Sequence, residues 1–307
     1  MVKVTLKNKF AFFNKSGVSI SNNSNFGLEE EINTNAIWFQ SMEPIYYAKN
    51  NENKLHKVKD VKIIHKDTEV FREKLFNNLK KQLVECKNKI KQEFLRTSDG
   101  SLNVGLNVIL IDSMLKEILK NTHIHFFGNI DYKISIIAVG GYGRGELAPH
   151  SDLDLLFLIK KNSNLIKTKK IERLVQAILY LLWDLGYKVG HSTRTIVDCI
   201  EKSKSDLTIT TSLLEKRFIV GNEKYFDLLK SQFNTFIANT KTLSFVEAKL
   251  KESDLRHKKF GGSRYVVEPN VKDGKGGLRD LHTLFWISKF VYRVDSISKL
   301  IKMGALS

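Results

Sequence analysis

The segment GGYGRGELAPHSDLDLLFLI, residues 140–159, constrains the fold of this chain more than any other stretch. It ends in a short apolar run typical of a buried strand, and two aspartates one residue apart stand at the start of that run. Side chains alternate along a strand, so Asp152 and Asp154 share one face, with Leu153, Leu155 and Phe157 on the other. Since a buried carboxylate is costly without a compensating partner, the pattern predicts a bound cation.

The pair of carboxylates favours a divalent cation, and Mg²⁺ fits best. Mg²⁺ usually takes one or two protein carboxylates and completes its coordination shell with water and substrate phosphates. The glycines upstream suggest where those phosphates bind, because Gly140 and Gly141 allow backbone N–H groups to face a phosphate. Arg144 could add a charge-assisted contact to the same group, and Ser151 a hydroxyl close to the metal.

Two other phosphate-binding motifs do not fit this segment. A P-loop requires G-x-x-x-x-G-K-S/T, which is absent. A dinucleotide-binding fingerprint requires G-x-G-x-x-G at the opening of a helix. Here GYGRG is expected to lead through Pro149 into a strand instead, which disfavours that interpretation. The remaining pattern is a strand, a glycine pair, a turn, and D-x-D on the next strand.

Hydrophobic periodicity predicts helices on either side of this segment. The first helix is expected over 67–98, with an apolar stripe, and the second over 106–122, with DGSLNVG as the break between them. A third is expected over 164–186, closed by Gly186, and the chain is expected to be helical again from 206 onward. The stripe of the first helix comprises Phe71, Leu75, Leu79, Leu83 and Ile90. Strands are expected at 133–140, 153–159 and 187–197, and residues 1–60 are expected to be partly ordered at best.

Composition limits the classes of partner and the compartment. The net charge of +17 favours a polyanionic partner, although a chain rich in Lys, Asn and Ile also reflects AT-rich coding. No apolar run approaches the roughly 18 residues of a membrane span, and the N-terminus lacks a signal-peptide pattern. The only two cysteines form neither a disulfide framework nor a metal knuckle. We therefore expect a cytoplasmic protein without a membrane partner.

Four collinear segments carry a resemblance to a known family. They are GGYGRGELAPHSDLDLLFL at 140–158, LWDLGYKVGHSTRT at 182–195, DLTITTSLLEKRFIVG at 206–221 and EPNVKDGKGGLRDLHTLFWI at 268–287. The D-x-D segment resembles the nucleotidyltransferase superfamily that includes DNA polymerase beta. All four together resemble the bacterial PII uridylyltransferase/uridylyl-removing enzymes.

The resemblance implies an α+β fold of the polymerase beta-like nucleotidyltransferase type, a small mixed sheet with helices. Three regions are expected: an N-terminal extension over 1–122, mostly helical after residue 66, a nucleotidyltransferase domain over 123–221, and a helical region over 222–307. The last of these contains the loop EPNVKDGKGGLRD.

The resemblance also implies an activity, the transfer of UMP from UTP to a tyrosine of the small nitrogen-signalling protein PII, with release of pyrophosphate. Asp152 and Asp154 would then bind Mg²⁺, and Gly140 and Gly141 would hold the triphosphate. Such a transfer depends mainly on positioning and charge neutralisation, which suits a site made of glycines, cations and metal ions. Nucleic acid is disfavoured as a partner.

Some site residues stay open at the level of sequence. Superfamily members usually add a third carboxylate from a later strand, but here that strand offers Gly190 or His191. The candidates for the third metal ligand are Glu268, Asp198 and Glu215. Arg194 is a candidate for phosphate binding, with a structural ion pair as the alternative. Lys272 is a candidate for closing over the nucleotide or for contacting a protein, with a structural helix cap in its loop as the alternative.

Two alternative functions are also open. The first keeps the chemistry and changes the acceptor, as in an adenylyltransferase acting on another protein or on RNA. The second is a catalytically inactive module that binds a nucleotide or a partner. Because none of the eight histidines precedes an aspartate, we expect no uridylyl-removing site of the family's His-Asp type in these 307 residues. The chain is expected to be a fragment, a truncated product or a reduced enzyme without the sensing domains.

Overall fold

Two compact units make up the protein in a computed structural model, which describes residues 3–5, 19–21, 61–160, 165–259, 268, 270–294 and 297–304. The first unit contains Met1–Thr193 and Arg217–Glu223, and the second contains Arg194–Lys216 and Lys224–Ser307. The expectation for residues 1–60 lies almost wholly outside the described residues.

The described elements alternate between helices and strands in the first unit, whereas the second unit is mainly helical. In chain order they are β1 (Lys3–Thr5), β2 (Ser19–Ser21), α1 (Val61–Thr97), α2 (Gly100–Phe127), β3 (Ile134–Ala138), α3 (Gly140–Arg144), β4 (Leu153–Ile159), α4 (Leu165–Asp184), β5 (Val189–Arg194), α5 (Ile196–Ser205), α6 (Leu207–Leu214), β6 (Arg217–Gly221), α7 (Glu223–Asn239), α8 (Thr242–Lys259), α9 (Leu278–Tyr292) and α10 (Ile297–Lys302). None of the helices within the described ranges combines the length and the apolar character needed to cross a bilayer.

Helices α1, α2 and α4 pack together in the first unit. The five apolar residues predicted to form the stripe of α1 are all buried, with Leu75 and Leu79 fully inaccessible. The break before α2 is shorter than predicted, because α2 begins at Gly100 rather than at 106. Asp99 caps it, its carboxylate accepting a hydrogen bond from the Leu102 N–H at 3.0 Å. This cap offsets the poor helix propensity of the glycines that follow.

A four-stranded mixed sheet with the order β5-β4-β3-β6 lies beside these helices. Strand β3 is central and pairs antiparallel with β4, where Ala138 faces Leu155, and with β6. Strand β4 is interior, as the apolar run predicted, and Leu153, Leu155 and Phe157 are buried. The predicted α+β class with a small mixed sheet is therefore confirmed.

Strand β6 and the short helix α3 correct the sequence-based prediction. Residues 217–221 were expected to be part of a helical region, but they form an edge strand of the sheet. The apolar run in this segment has only three residues, which is too short to reveal its type through periodicity, and pairing with a distant strand decided it. The glycine-rich run was expected not to open a helix, yet Gly140–Arg144 form one helical turn, ended by Gly145 at φ 77°.

The second unit is built from α5 to α10 without β6. Helix α5 begins with a reciprocal capping box, in which the Thr195 hydroxyl accepts from the Asp198 N–H and the Asp198 carboxylate accepts from the Thr195 N–H. Helix α6 is capped by Asp206, whose carboxylate accepts from Thr208 and Ile209. Helices α8 and α9 pack on each other, with Phe245 and Phe290 stacked at 3.8 Å between ring centroids. The helical character predicted for this region is confirmed outside β6.

Candidate active site

The two aspartates lie at the beginning of strand β4, on the exposed side of an otherwise buried element. Asp152 directly precedes the strand, Asp154 is its second residue, and both are exposed. The expectation that they would be buried within the strand is wrong, because Asp152 precedes the strand and Asp154 is exposed between the buried residues Leu153 and Leu155. Their exposure removes the desolvation cost and leaves both carboxylates accessible to a ligand from solvent.

The Asp154 carboxylate lies between two glycines from different elements. A Cβ atom built on Gly140 would be 3.0 Å from Asp154 Oδ2, and one built on Gly190 would be 2.5 Å from Asp154 Oδ1. The backbone at Asp154 is also fixed, since its carbonyl oxygen accepts from the Val139 N–H at 3.0 Å. The structure therefore places Gly140, the first glycine of the predicted pair, next to the predicted carboxylate.

Helix α3 places Gly141 and Arg144 together on the same turn. A Cβ atom on Gly141 would be 3.5 Å from Arg144 Nη2. The Arg144 Nε donates to Glu146 Oε2 at 2.7 Å, and its side chain is only 11% exposed. The guanidinium thus lies over the glycine turn in a fixed orientation. Ser151 is exposed and directly precedes Asp152, with its N–H donating to Ala148 O at 3.1 Å.

A buried polar network, which the sequence patterns did not predict, anchors this turn. The Arg217 Nη1 donates to Asp112 Oδ2 at 2.6 Å, and the Tyr142 hydroxyl donates to Asp112 Oδ1 at 2.6 Å. Arg217 Nη2 also donates to the Tyr142 carbonyl oxygen at 3.3 Å. The signal in the sequence was Asp112 itself, the one carboxylate in the apolar run LNVILIDSML.

The titration behaviour of this network follows from its burial. Burial raises the pKa of Tyr142 well above its ordinary value, and the neighbouring Asp112 carboxylate adds to that. Burial alone would lower the pKa of Arg217, but the Asp112 charge and hydrogen bonds outweigh it and raise that pKa. Tyr142 therefore stays a neutral donor and Arg217 a cation throughout the physiological range, which keeps the turn fixed.

The residues at the start of β4 fit a magnesium ion. Two exposed carboxylates supply hard oxygen donors, and Mg²⁺ commonly takes only that many from a protein. Within the described ranges, no group of three or more His, Cys, Asp or Glu side chains is positioned to hold a metal ion. Asp152 and Asp154 could thus bind Mg²⁺ only together with other oxygen ligands, such as phosphate or water.

The other predicted site residues lie in the second unit. The Asp198 carboxylate closes the capping box of α5 and accepts from Thr195 Oγ1 at 2.7 Å. Glu215 is 4% exposed and follows the end of α6. Arg194 is half-buried at the end of β5, and Glu268 is exposed. In the described residues, the Asp198 carboxylate serves to cap helix α5. The identity of the third metal ligand stays a prediction.

Lys272 belongs to a loop before α9 whose backbone is held by its own residues. Asn270 Oδ1 accepts from the N–H groups of Lys272 and Asp273 at 3.0 and 2.8 Å. The Gly276 N–H donates to Asp280 Oδ2 at 2.8 Å, and the Leu278 N–H donates to Val271 O. The Lys272 side chain is exposed. These bonds favour the structural cap that the sequence left open as an alternative.

Asp280 joins this loop to the last turn of α8. It accepts from His257 Nε2 at 2.9 Å and forms an ion pair with Arg256. Burial alone would raise the pKa of Asp280, but the hydrogen bonds from Gly276, His257 and Arg256 hold it below its ordinary value. The carboxylate is therefore a structural acceptor that fixes the loop.

Comparison with known families confirms the resemblance carried by the motifs. The family described as nucleotidyltransferase domain matches residues 116–219, and the family described as GlnD PII-uridylyltransferase matches residues 244–307. The first match contains both aspartates, strand β4, the glycine turn and Gly190.

Curated relatives agree with these matches. The chain is 43% identical over 244 residues to the bifunctional uridylyltransferase/uridylyl-removing enzyme of Azospirillum brasilense, covering 77% of this chain and 25% of the relative. It is 42% identical over 246 residues to the enzyme of the same name from Rhodospirillum rubrum, covering 78% and 26%. The chain is 45% identical over 220 residues to the enzyme of the same name from Novosphingobium aromaticivorans, covering 69% of this chain and 23% of the relative. The chain thus spans about a quarter of the length of the curated relatives it matches.

Proposed function

We propose that this chain, whose residues 116–219 match the nucleotidyltransferase domain family, transfers UMP from UTP to a tyrosine of the PII nitrogen-signalling protein and releases pyrophosphate. The names of the relatives support the choice of a uridylyl group. The observation that carries the proposal is the position of Asp154, whose carboxylate lies against Gly140 at the beginning of β4. We further propose that the reaction takes place in the cytoplasm.

Each element of the site has a defined task in this proposal. Gly140 and Gly141 open a helical turn, where the first backbone N–H groups have no acceptor within the helix and can bind phosphate oxygens. Arg144, held over the turn by Glu146, adds positive charge beside them. A hydrogen-bonded network of Arg217, Asp112 and Tyr142 fixes the turn. The backbone N–H groups and Arg144 are therefore oriented before the substrate binds.

Asp152 and Asp154 would hold Mg²⁺. When bound, Mg²⁺ neutralises charge on the triphosphate and on the departing pyrophosphate. The two aspartates would keep this charge adjacent to the glycine turn, because the Asp154 backbone is hydrogen-bonded to Val139, the residue before the turn. The phosphate-binding and metal-binding groups are thereby held within one rigid segment of the sheet.

The decisive experiment incubates the purified chain with Mg²⁺, a PII protein and UTP or ATP labelled at the α-phosphate. We expect label to pass from UTP to PII, and Asp152→Asn and Asp154→Asn each to abolish it without changing the melting temperature. Glu172→Gln, which removes an exposed carboxylate on α4, is the matched control and should retain transfer.

The other outcomes separate the alternatives. Label arriving only from ATP would assign an adenylyltransferase, and label passing to RNA would change the acceptor. Absence of transfer from either nucleotide, with nucleotide binding intact, would indicate a binding module. Full transfer by Asp154→Asn would refute the proposed site.

A further inference from the structure

Gly190 on β5 faces the Asp154 carboxylate. Strand β5 lies next to β4, and the Leu153 N–H donates to the Lys188 carbonyl oxygen at 2.8 Å between the two strands. A Cβ atom at 190 would lie 2.5 Å from Asp154 Oδ1 and 3.7 Å from Asp154 Cγ. The first of these distances is far shorter than a nonbonded contact allows.

Conformational freedom does not explain a glycine at this position. The φ angle of Gly190 lies outside the positive region, in contrast to Gly140 at 59° and Gly186 at 85°. A glycine inside a strand also weakens it and commonly marks a close approach by another group. The reason for glycine here is therefore the missing side chain, which leaves room for the carboxylate.

We infer that Gly190 is a positioning residue, whose lack of a side chain leaves room for the Asp154 carboxylate in the orientation that binds the metal ion. Gly140 lies against one carboxylate oxygen and Gly190 against the other. The Asp154 backbone is held in place, because its carbonyl oxygen is hydrogen-bonded to the Val139 N–H and its strand lies between β3 and β5 in the sheet. A methyl group at 190 must therefore rotate the carboxylate away from its position. That Asp154 binds a metal ion rests on the proposed function.

The same contact accounts for the absence of an acid on this strand. An aspartate at 190 would bring its own Cβ within 2.5 Å of Asp154 Oδ1, so it would displace Asp154 instead of joining it. With Asp154 in its observed orientation, this position of β5 accepts only a glycine. The site therefore works with Asp152, directly before β4, and Asp154 in β4, and it takes no ligand from position 190.

The test measures binding of Mn²⁺, a paramagnetic substitute for Mg²⁺, by electron paramagnetic resonance, alone and with UTP. We expect Gly190→Ala to weaken Mn²⁺ binding roughly 10–100-fold, the range seen when groups that orient metal ligands are changed. Gly105→Ala is the matched control, since a Cβ atom on Gly105 meets nothing within 4 Å, and it should bind Mn²⁺ as the unaltered chain does. Equal affinity of Gly190→Ala and the unaltered chain, or no Mn²⁺ binding by the unaltered chain under either condition, would overturn the inference.

A double-mutant cycle on thermal unfolding supplies a readout without metal. Gly190→Ala should lower the melting temperature in the unaltered chain and should lower it clearly less in an Asp154→Ala background, where the clashing oxygen is gone. An equal decrease in both backgrounds would show that the contact with Asp154 is not the cause, which also overturns the inference.

The inference and the proposed function can fail separately. If the unaltered chain transfers no UMP but its Mn²⁺ binding depends on Gly190, the proposed function is wrong and the inference stands. If UMP transfer is established and Gly190→Ala binds Mn²⁺ normally, the proposed function stands and the inference is wrong.

Discussion

The chain contains two glycine-rich segments that look alike in sequence, GGYGRG at 140–145 and DGKGG at 273–277, and the structure gives them different tasks. Each is anchored by an arginine–aspartate pair, Arg217–Asp112 for the first and Arg256–Asp280 for the second. In the first, Gly140 lies against the Asp154 carboxylate. In the second, the backbone N–H groups bind acceptors within the loop and Asp280.

This difference shows what a cluster of glycines does and does not indicate. Glycines at both segments allow conformations that other residues resist, with Gly140 and Gly276 both at positive φ. Only the atoms that each glycine faces distinguish a ligand site from a self-contained cap. A Cβ atom on Gly140 would meet a carboxylate, while one on Gly276 would meet nothing within 4 Å.

The largest expected effect concerns the two anchoring arginines. Arg217→Met should lower the free energy of unfolding by about 3–5 kcal/mol, because it leaves the Asp112 carboxylate, which is only 16% exposed, without its cation. Arg256→Met should cost about 1–3 kcal/mol, because the Asp280 side chain is 27% exposed and keeps other donors. Urea denaturation measures both free-energy changes, and Arg173→Met, at an exposed position of α4, is the control. Equal losses at 217 and 256 would contradict the difference in burial.

The next effect separates the glycines themselves. Gly140→Ala and Gly276→Ala should each cost about 1–2 kcal/mol of stability, since both place a Cβ atom at positive φ. Only Gly140→Ala should also abolish nucleotidyl transfer, because its Cβ atom presses on Asp154 Oδ2. Thermal denaturation and the UMP-transfer assay on the same preparations test this. Loss of transfer in Gly276→Ala at retained stability would assign the second segment to the active site as well.

A smaller effect is expected when the hydroxyl group that donates to each anchoring aspartate is removed. Tyr142→Phe removes a 2.6 Å hydrogen bond to Asp112 and should cost about 1 kcal/mol. Ser253→Ala removes a 3.5 Å contact to Asp280 and should cost less. Chemical denaturation of both variants gives the two values. A larger loss for Ser253→Ala would mean that the second anchor is the tighter one.

The smallest effect is a dependence on pH that belongs to the second segment. Since the pKa of Asp280 is lowered in the folded protein, its stabilising contribution is complete above the ordinary aspartate pKa of about 3.9 and is lost as the pH falls through the lower, folded value. Asp280→Asn should therefore flatten the decline of unfolding free energy below about pH 4. The control is Asp254→Asn, which removes an exposed carboxylate from α8 and should leave that decline unchanged.

Much of the first unit was predictable because its signals are local. The alternation around Asp152 and Asp154 located β4, and apolar spacing located α1 and α4 to within a few residues of their observed ends, except that α1 begins at Val61. Gly186 at φ 85° ends α4 as expected. These features depend on residues within a few positions of each other, which periodicity and capping rules describe well.

The features that were missed depend on distant residues. Strand β6 exists because Ile136 pairs with Val220, and no local pattern in RFIVG indicates that partner. Asp112 and Arg217 are 105 positions apart, so their ion pair is invisible in either segment alone. The exposure of Asp152 and Asp154 was also missed, because it depends on where the sheet ends and not on the apolar residues that follow.

The return of the chain from α6 to β6 has a consequence for synthesis on the ribosome. Strands β3 and β4 are translated well before β6, and helices α5 and α6 of the second unit are made in between. Until residue 217 emerges, one edge of β3 has no partner strand and Asp112 has no guanidinium. The nascent chain must therefore carry an open sheet edge, a template for wrong pairing, through this interval. Codon changes that slow translation between 194 and 217 should increase misfolding more than changes after 224.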